Sequence, residues 1–156
     1  MRSIRVGGGV ILAMLVAAVV AAPFGPLPGI IIGGTPAEPP LQWQDTSSVH
    51  EIQLRVPGTL PRVVNLWVIE IDDELYIVGE KASGWVSMIG EGGPVEMRLG
   101  DDTYSLTALP VEEGWQPIYQ AYLDKYRPDY PDLVGEFPSP EEDDGTGAIF
   151  RLSRNR

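Results

Sequence analysis

Apolar and polar positions alternate most regularly between residues 95 and 109. Residues 95–99 and 104–109 each carry apolar side chains at alternate positions, and Gly100-Asp101-Asp102 lies between them. Because successive side chains of a strand point to opposite faces, this period predicts two strands with one apolar face. The glycine and the two aspartates predict a tight turn that joins the strands into a hairpin.

A second hairpin is predicted just before the first. Residues 62–71 form a run rich in Val, Ile and Leu that stops at Asp72-Asp73, and residues 75–79 begin another apolar run. β-Branched residues favour strands, and acidic residues are frequent in turns. A polar loop at 80–85 leads into a short predicted helix, 84–89, which separates the two hairpins.

The flanking segments supply the remaining elements. Residues 49–56 alternate in polarity and predict a first strand, and the apolar run within 148–154 predicts a last one. Residues 113–126 carry aromatic and aliphatic side chains at spacings of three and four, which predicts an amphipathic helix. Residues 127–146 are rich in proline and acidic residues and are expected to be irregular. A last strand that returns after them would close the open edge of the sheet. The pattern therefore predicts a mainly β fold, a six-stranded antiparallel barrel with one short and one longer helix.

The N-terminal region has a different character. No charged residue occurs in 6–37, and 10–22 is almost continuously apolar after two arginines. A segment of this kind targets a chain to a membrane. Two interpretations are open, a cleaved signal peptide or an uncleaved transmembrane anchor. As an anchor, the apolar run before Pro23 is too short to cross a bilayer by itself and needs residues 24–32 to complete the crossing.

These features divide the chain into three parts. They are a membrane anchor or signal segment at 1–32, a linker rich in proline and glycine at 33–48, and a barrel domain at 49–156. Basic residues precede the apolar segment and none follows it closely, so the positive-inside rule predicts a cytoplasmic N-terminus. The domain is then expected outside the cytoplasm, on the periplasmic side of a bacterial inner membrane.

Composition excludes several classes of function. The chain of 156 residues has a formal net charge of −11 at pH 7, no cysteine and one histidine, His50. Such an acidic surface repels a phosphate backbone, so no nucleic-acid partner is expected. Without cysteine there is no thiolate chemistry, and a lone histidine predicts no metal site. No motif of a hydrolase, kinase or zinc enzyme occurs.

Candidate chemistry is concentrated in the loop 80–85. Lys81 supplies a cation, and Ser83 supplies a hydroxyl at the predicted N-cap of the short helix, whose first N–H groups point outward. Together these groups predict an anion pocket. The alternative is that Lys81 is solvated and Ser83 only caps the helix. Trp85 either stacks on an aromatic ligand or plugs the barrel.

The order of these pieces resembles that of the split β-barrels related to pyridoxamine 5′-phosphate oxidase, which include flavin- and deazaflavin-dependent reductases of the nitroreductase type. The matching pieces are Arg62-Val63-Val64-Asn65-Leu66, then 75–79, the loop 80–85, the helical residues 86–90 and the hairpin 94–110. The resemblance implies a split β-barrel that binds FMN or a deazaflavin. It also implies a homodimer that pairs through the barrel.

The resemblance further implies six cofactor-binding residues: Arg62, Asn65, Trp67, Lys81, Ser83 and Trp85. Arg62, Lys81 and Ser83 would hold the cofactor phosphate. Backbone groups near Asn65 and Trp67 would face the edge of the isoalloxazine ring. Relatives usually place two basic residues beside the serine, whereas Lys81 is the only local cation here.

Two functions follow from these observations. The first is a membrane-anchored oxidoreductase that uses FMN or a deazaflavin, for which no catalytic residue is predicted. The second is a non-enzymatic extracytoplasmic module that binds a protein or small ligand, with an eroded cofactor site or no cofactor. Export and the missing basic residues favour the second. On the longer helix, Tyr119 and Tyr122 face either a ligand or the core.

Overall fold

Six strands close into an antiparallel barrel in the computed structural model, which describes residues 29–43, 45–142 and 145–154. The strands are β1 Thr35–Ala37, β2 Glu51–Val56, β3 Arg62–Ile71, β4 Glu74–Glu80, β5 Gly93–Leu99, β6 Asp102–Pro110 and β7 Gly147–Arg154. The helices are α1 Gly84–Ile89, α2 Trp115–Tyr126 and α3 Pro131–Val134. The predicted mainly β fold and both predicted helices are confirmed.

The barrel closes through its last strand. Around the barrel the order is β6, β5, β2, β3, β4 and β7, and β7 then pairs with β6, all antiparallel. Leu152 of β7 pairs with Leu75 of β4 on one side and with Ala108 of β6 on the other. Both predicted hairpins form, β3 with β4 and β5 with β6. The short strand β1 lies parallel to β6 outside this ring.

The acidic turn between β3 and β4 has a conformation that suits its sequence. Asp72 and Asp73 have φ angles of 51° and 64°, in the left-handed region. Aspartate tolerates this region better than most residues, and two consecutive positive φ angles match the twist of a two-residue hairpin. The turn therefore fixes the register in which Ile71 pairs with Glu74.

Two apolar layers lie on opposite sides of the β3 and β4 strands. Alternate side chains point into the barrel, where eight have no exposed surface: Leu54, Val68, Leu75, Ile77, Met97, Leu106, Ala108 and Leu152. The opposite faces of these two strands and of β7 pack against α2 and α3 through a second cluster, which includes Ile69, Tyr122, Leu123, Tyr126 and Val134. Helix α2 thus lies outside the barrel and covers one wall.

Two small elements were not predicted. Residues 127–146 were expected to be irregular, but they contain the single-turn helix α3, which starts at Pro131. The predicted linker contains β1, and its Trp43 is 6% exposed in the barrel core. A run rich in proline gives no strand period, so the pairing of β1 with β6 had no local signal.

The described chain contacts the barrel from its first residues. Gly29 and Val63 exchange two backbone hydrogen bonds of 2.9 and 2.7 Å, and Ile32 is buried. Gly29 to Ile32, which were expected to help complete a membrane crossing, therefore pack on the barrel. Residues 1–28, the rest of the predicted membrane segment, lie outside the described residues. Within the described ranges, no helix is long and apolar enough to span a membrane.

Candidate functional site

A cleft of about 790 Å³ lies outside the barrel, between α2, the end of β4 and the start of β7. Its walls come from segments that are far apart in the sequence: the end of β4, the start of β7, the connection from β6 to α2, and residues 137–138. A cleft of this volume is large enough for a drug-sized ligand or a cofactor ring.

Aromatic side chains form one wall of the cleft. Trp115, Tyr119 and Tyr122 come from α2, and Phe137 follows α3. Spacings of four and three place the helical residues on one face of α2. Ring centroids of Trp115 and Tyr119 lie 6.2 Å apart, and those of Tyr119 and Tyr122 lie 6.5 Å apart. Tyr119 and Tyr122 are 9% and 6% exposed, so the ring surface on which a planar ligand can stack comes mainly from Trp115 and Phe137.

Tyr122 brings an unused hydrogen-bond donor to this wall. Its side chain is 6% exposed, and its hydroxyl forms no hydrogen bond with any described residue. Burial raises the pKa of the Tyr122 phenol far above its ordinary value, so the group is protonated at neutral pH. Although the ring is buried, the hydroxyl oxygen remains accessible from the cleft. It can therefore donate a hydrogen bond to a ligand that enters the cleft.

The neighbouring Tyr126 differs from Tyr122 because its hydroxyl is hydrogen-bonded within the chain, and its contacts hold the helix that carries the aromatic wall. Its hydroxyl accepts a hydrogen bond from the Val68 backbone N–H at 2.8 Å and lies 2.6 Å from the Val68 carbonyl and 2.8 Å from the His50 carbonyl. Trp67 stacks on the Tyr126 ring, with centroids 4.2 Å apart and planes 10° apart. These contacts hold α2 firmly against β3.

Lys81 is the one predicted site residue that lines the cleft. Its ammonium group donates a hydrogen bond to the Gly145 carbonyl at 2.6 Å, and its backbone N–H donates to the Thr146 carbonyl at 2.9 Å. Lys81 therefore ties the end of β4 to the start of β7. Since an ammonium group has three donors, the other two can reach a ligand.

Ser83 and Arg62 lie close to each other beside the start of α1, outside the residues that line the cleft. Ser83 occupies the predicted N-cap position, but its hydroxyl donates to the Glu80 carbonyl at 2.7 Å and makes no capping hydrogen bond. The Arg62 guanidinium lies directly over Gly84, in the space that a Cβ would occupy. The structure thus brings Arg62 and Ser83 together and places Lys81 at the cleft.

The other three predicted residues are more dispersed. Trp85 is 7% exposed in the barrel core, where its ring covers Gly79 and lies 6.1 Å from the Phe150 ring. This is the position that the plugging interpretation requires. Asn65 is exposed on β3 and pairs with Gln53. Trp67 lies beneath α2 rather than in the cleft.

The sequence pattern predicted the aromatic face of α2 but not the cleft that this face helps to form. The signal for Trp115, Tyr119 and Tyr122 was their helical spacing, which leaves open whether the face meets the core or a ligand. Glu91 and Glu112, which also line the cleft, gave no signal because both lie in connections. Among the described residues, no group of three or more His, Asp or Glu is arranged to hold a metal ion.

Comparison with known proteins gives structural neighbours only. No family model matches the chain, and no curated protein matches it. The heme storage protein HutZ from Vibrio cholerae is similar at 9% identity, over 72% of this chain and 87% of that one, with a TM-score of 0.51. The FAD and heme binding protein from Mycobacterium smegmatis is similar at 15% identity, over 70% of this chain and 62% of that one, with a TM-score of 0.50.

A NimC/NimA family protein from Clostridium acetobutylicum is also similar, at 20% identity over 66% of this chain and 73% of that one, with a TM-score of 0.49. The likenesses to the first two structures show a shared fold. The chain therefore has the six-stranded barrel that also occurs in a protein that binds FAD and heme and in a heme storage protein.

Proposed function

We propose that this protein binds a flavin-type cofactor in the cleft beside α2 and acts as a redox protein. The observation that carries the proposal is the aromatic wall together with the Tyr122 hydroxyl, which faces the cleft and bonds to no described residue. The fold supports the flavin class, because a neighbour with the same barrel is a protein that binds FAD and heme. A bound flavin or deazaflavin supplies hydride transfer by its own chemistry.

The residues at the cleft fit such a ring. Trp115 and Phe137 offer accessible ring surfaces for a planar tricyclic system, and Tyr122 offers one donor to a ring oxygen or nitrogen. Lys81 lies at the rim of the cleft. One of its ammonium N–H groups donates to the Gly145 carbonyl, and the other two contact the polar tail of the cofactor. These side chains bind and orient the ring, and α2 shields one face of it from water.

Binding is tested by titrating the full-length protein with riboflavin and FMN and following flavin fluorescence. We expect saturable quenching with a dissociation constant of about 1–10 µM for the better ligand. Tyr122→Phe should weaken that binding by about 2- to 10-fold, since it removes one neutral hydrogen bond. The matched control is Tyr76→Phe on β4, which lies outside the cleft and should bind as the parent does. Absence of quenching by every flavin tested would refute the proposal.

A second function, a non-enzymatic binding module, is favoured by a different observation. The Ser83 hydroxyl and the Lys81 ammonium, the groups expected to hold a cofactor phosphate, both donate to backbone carbonyls of their own chain. In this alternative the cleft binds a small organic ligand and carries out no redox chemistry. Protein that binds no flavin and shows no reductase activity, but is stabilised against heating by an aromatic ligand, would establish it.

We also propose that the barrel is tethered to a membrane by the apolar residues that precede Gly29, with the domain outside the cytoplasm. Because Gly29 to Ile32 pack on the barrel, residues 6–28 must supply the whole crossing. The charge asymmetry around residues 10–22 supports this orientation. A reporter that is active only in the periplasm, fused after Arg156, should be active. A reporter that is active only in the cytoplasm should be inactive at the same position, and the reverse pattern would refute the orientation.

A further inference from the structure

The charges around the cleft are unbalanced. Among the residues that the structure describes, three carboxylates line it, those of Glu80, Glu91 and Glu112, and all three side chains are exposed. None of them forms an ion pair or a side-chain hydrogen bond with a described residue. Lys81 is the one basic residue among the described residues that line the cleft, so one positive charge faces three negative ones. The cleft therefore lies in a negative potential, within a chain whose formal net charge is −11.

This potential acts differently on the parts of a flavin. The ring system is uncharged and is attracted to the aromatic wall, so the carboxylates affect it little. A ribityl chain carries hydroxyl groups, for which carboxylate oxygens are strong acceptors. A phosphomonoester carries between about 1.5 and 2 negative charges at pH 7 and is repelled by the same carboxylates. The three glutamates at the rim of the cleft thus favour binding of a flavin with a polyol tail and disfavour binding of one with a phosphorylated tail.

From this charge distribution we infer that the cleft selects a flavin that carries no phosphate, of the riboflavin class, over FMN and over phosphorylated deazaflavins. This inference rests on the proposed function and names the ligand class of the same site. The aromatic wall supplies affinity for the ring, and Tyr122 supplies its donor. The three glutamates supply the discrimination.

The test compares riboflavin with FMN, which share the ring and differ by the phosphate. Dissociation constants of the full-length protein are measured by fluorescence at about 20 mM and about 1 M salt. We expect riboflavin to bind about 10-fold more tightly than FMN at low salt, because several like charges act within one screening length. At high salt the screening length falls to about 3 Å, so the ratio should approach unity.

Charge-neutralising variants assign this preference to the rim. The triple variant Glu80→Gln, Glu91→Gln, Glu112→Gln should reduce the low-salt ratio of FMN to riboflavin dissociation constants several-fold. Its matched control neutralises three exposed carboxylates that do not line the cleft and changes the net charge equally: Glu38→Gln, Glu51→Gln and Asp101→Asn. The control should keep most of the preference for riboflavin, because local charges act more strongly than distant ones.

The outcomes separate this inference from the proposed function. If FMN binds as tightly as riboflavin or more tightly at low salt, the selection of a phosphate-free flavin is wrong while flavin binding stands. If the control triple variant changes the ratio as much as the rim variant does, the glutamates of the cleft are not its cause and the inference is also wrong. If no flavin binds, both proposals fail.

Discussion

Tyr122 and Tyr126 lie one helical turn apart on α2, and their hydroxyl groups have different surroundings. The Tyr126 hydroxyl satisfies the Val68 N–H and lies within hydrogen-bond distance of two carbonyls, whereas the Tyr122 hydroxyl bonds to no described residue. Tyr126→Phe should therefore lower the free energy of unfolding by about 1–3 kcal/mol, because it leaves the buried Val68 N–H without its acceptor. Denaturant unfolding of the purified variant measures this loss.

The matched substitution on the same helix is Tyr122→Phe. It removes the same atom from an equally buried ring but breaks no hydrogen bond within the described chain, so stability should change by less than about 0.5 kcal/mol. Equal losses in the two variants would contradict the assigned hydrogen bonds. A small loss in stability together with weaker flavin binding would identify the Tyr122 hydroxyl as a ligand contact.

The phenol of Tyr126 predicts that the stability of the protein changes at alkaline pH. Burial, as the largest cause, raises the pKa of Tyr126 from 10.0 to about 12. Below pH 10 the group is protonated in the folded and unfolded states alike. Between about pH 10 and 12 it ionises only in the unfolded state, so the free energy of unfolding falls as the pH rises. Tyr126→Phe should show a shallower fall over this interval in pH-dependent denaturation, and an identical slope would contradict the assignment.

At the scale of elements, α1 fits against the barrel because β4 has a glycine, Gly79, at the point where the Trp85 ring lies. The Trp85 ring lies where a Cβ on Gly79 of β4 would be. Gly79→Ala should therefore displace the Trp85 ring and lower the free energy of unfolding by about 1–3 kcal/mol. The matched control is Gly93→Ala in β5, where no atom lies within 4 Å of the added carbon. The control should leave stability unchanged or raise it by up to about 1 kcal/mol.

The elements that the sequence predicted well are those with strong local signals. The hairpins β3–β4 and β5–β6 follow from a period of two and acidic turns, and α2 follows from its aromatic spacing. The strand β1 and the burial of Trp67 under α2 had no such signal, because each depends on a partner distant in the sequence. The bond between Lys81 and Gly145 spans 64 residues, and no local pattern predicts it.

At the scale of the whole molecule, closure of the barrel creates the cleft. The pairing of β7 with both β4 and β6 brings Ala148 and Ile149 beside Val78 and the chain that follows β6. The fold class could be predicted because closure needs only a last strand at the right place in the order. The cleft could not, because its walls come from segments that meet only after closure. A homodimer that pairs through the barrel stays a prediction.

The most direct test of the central claim is a crystal structure of the full-length protein, determined from crystals soaked with riboflavin. We predict that the isoalloxazine ring lies against Trp115 and Phe137, with a ring oxygen or nitrogen within hydrogen-bond distance of the Tyr122 hydroxyl. The ribityl hydroxyls should lie toward the glutamates at the rim. A ring bound at another surface, or a cleft that stays empty while riboflavin saturates the protein in solution, would contradict the account.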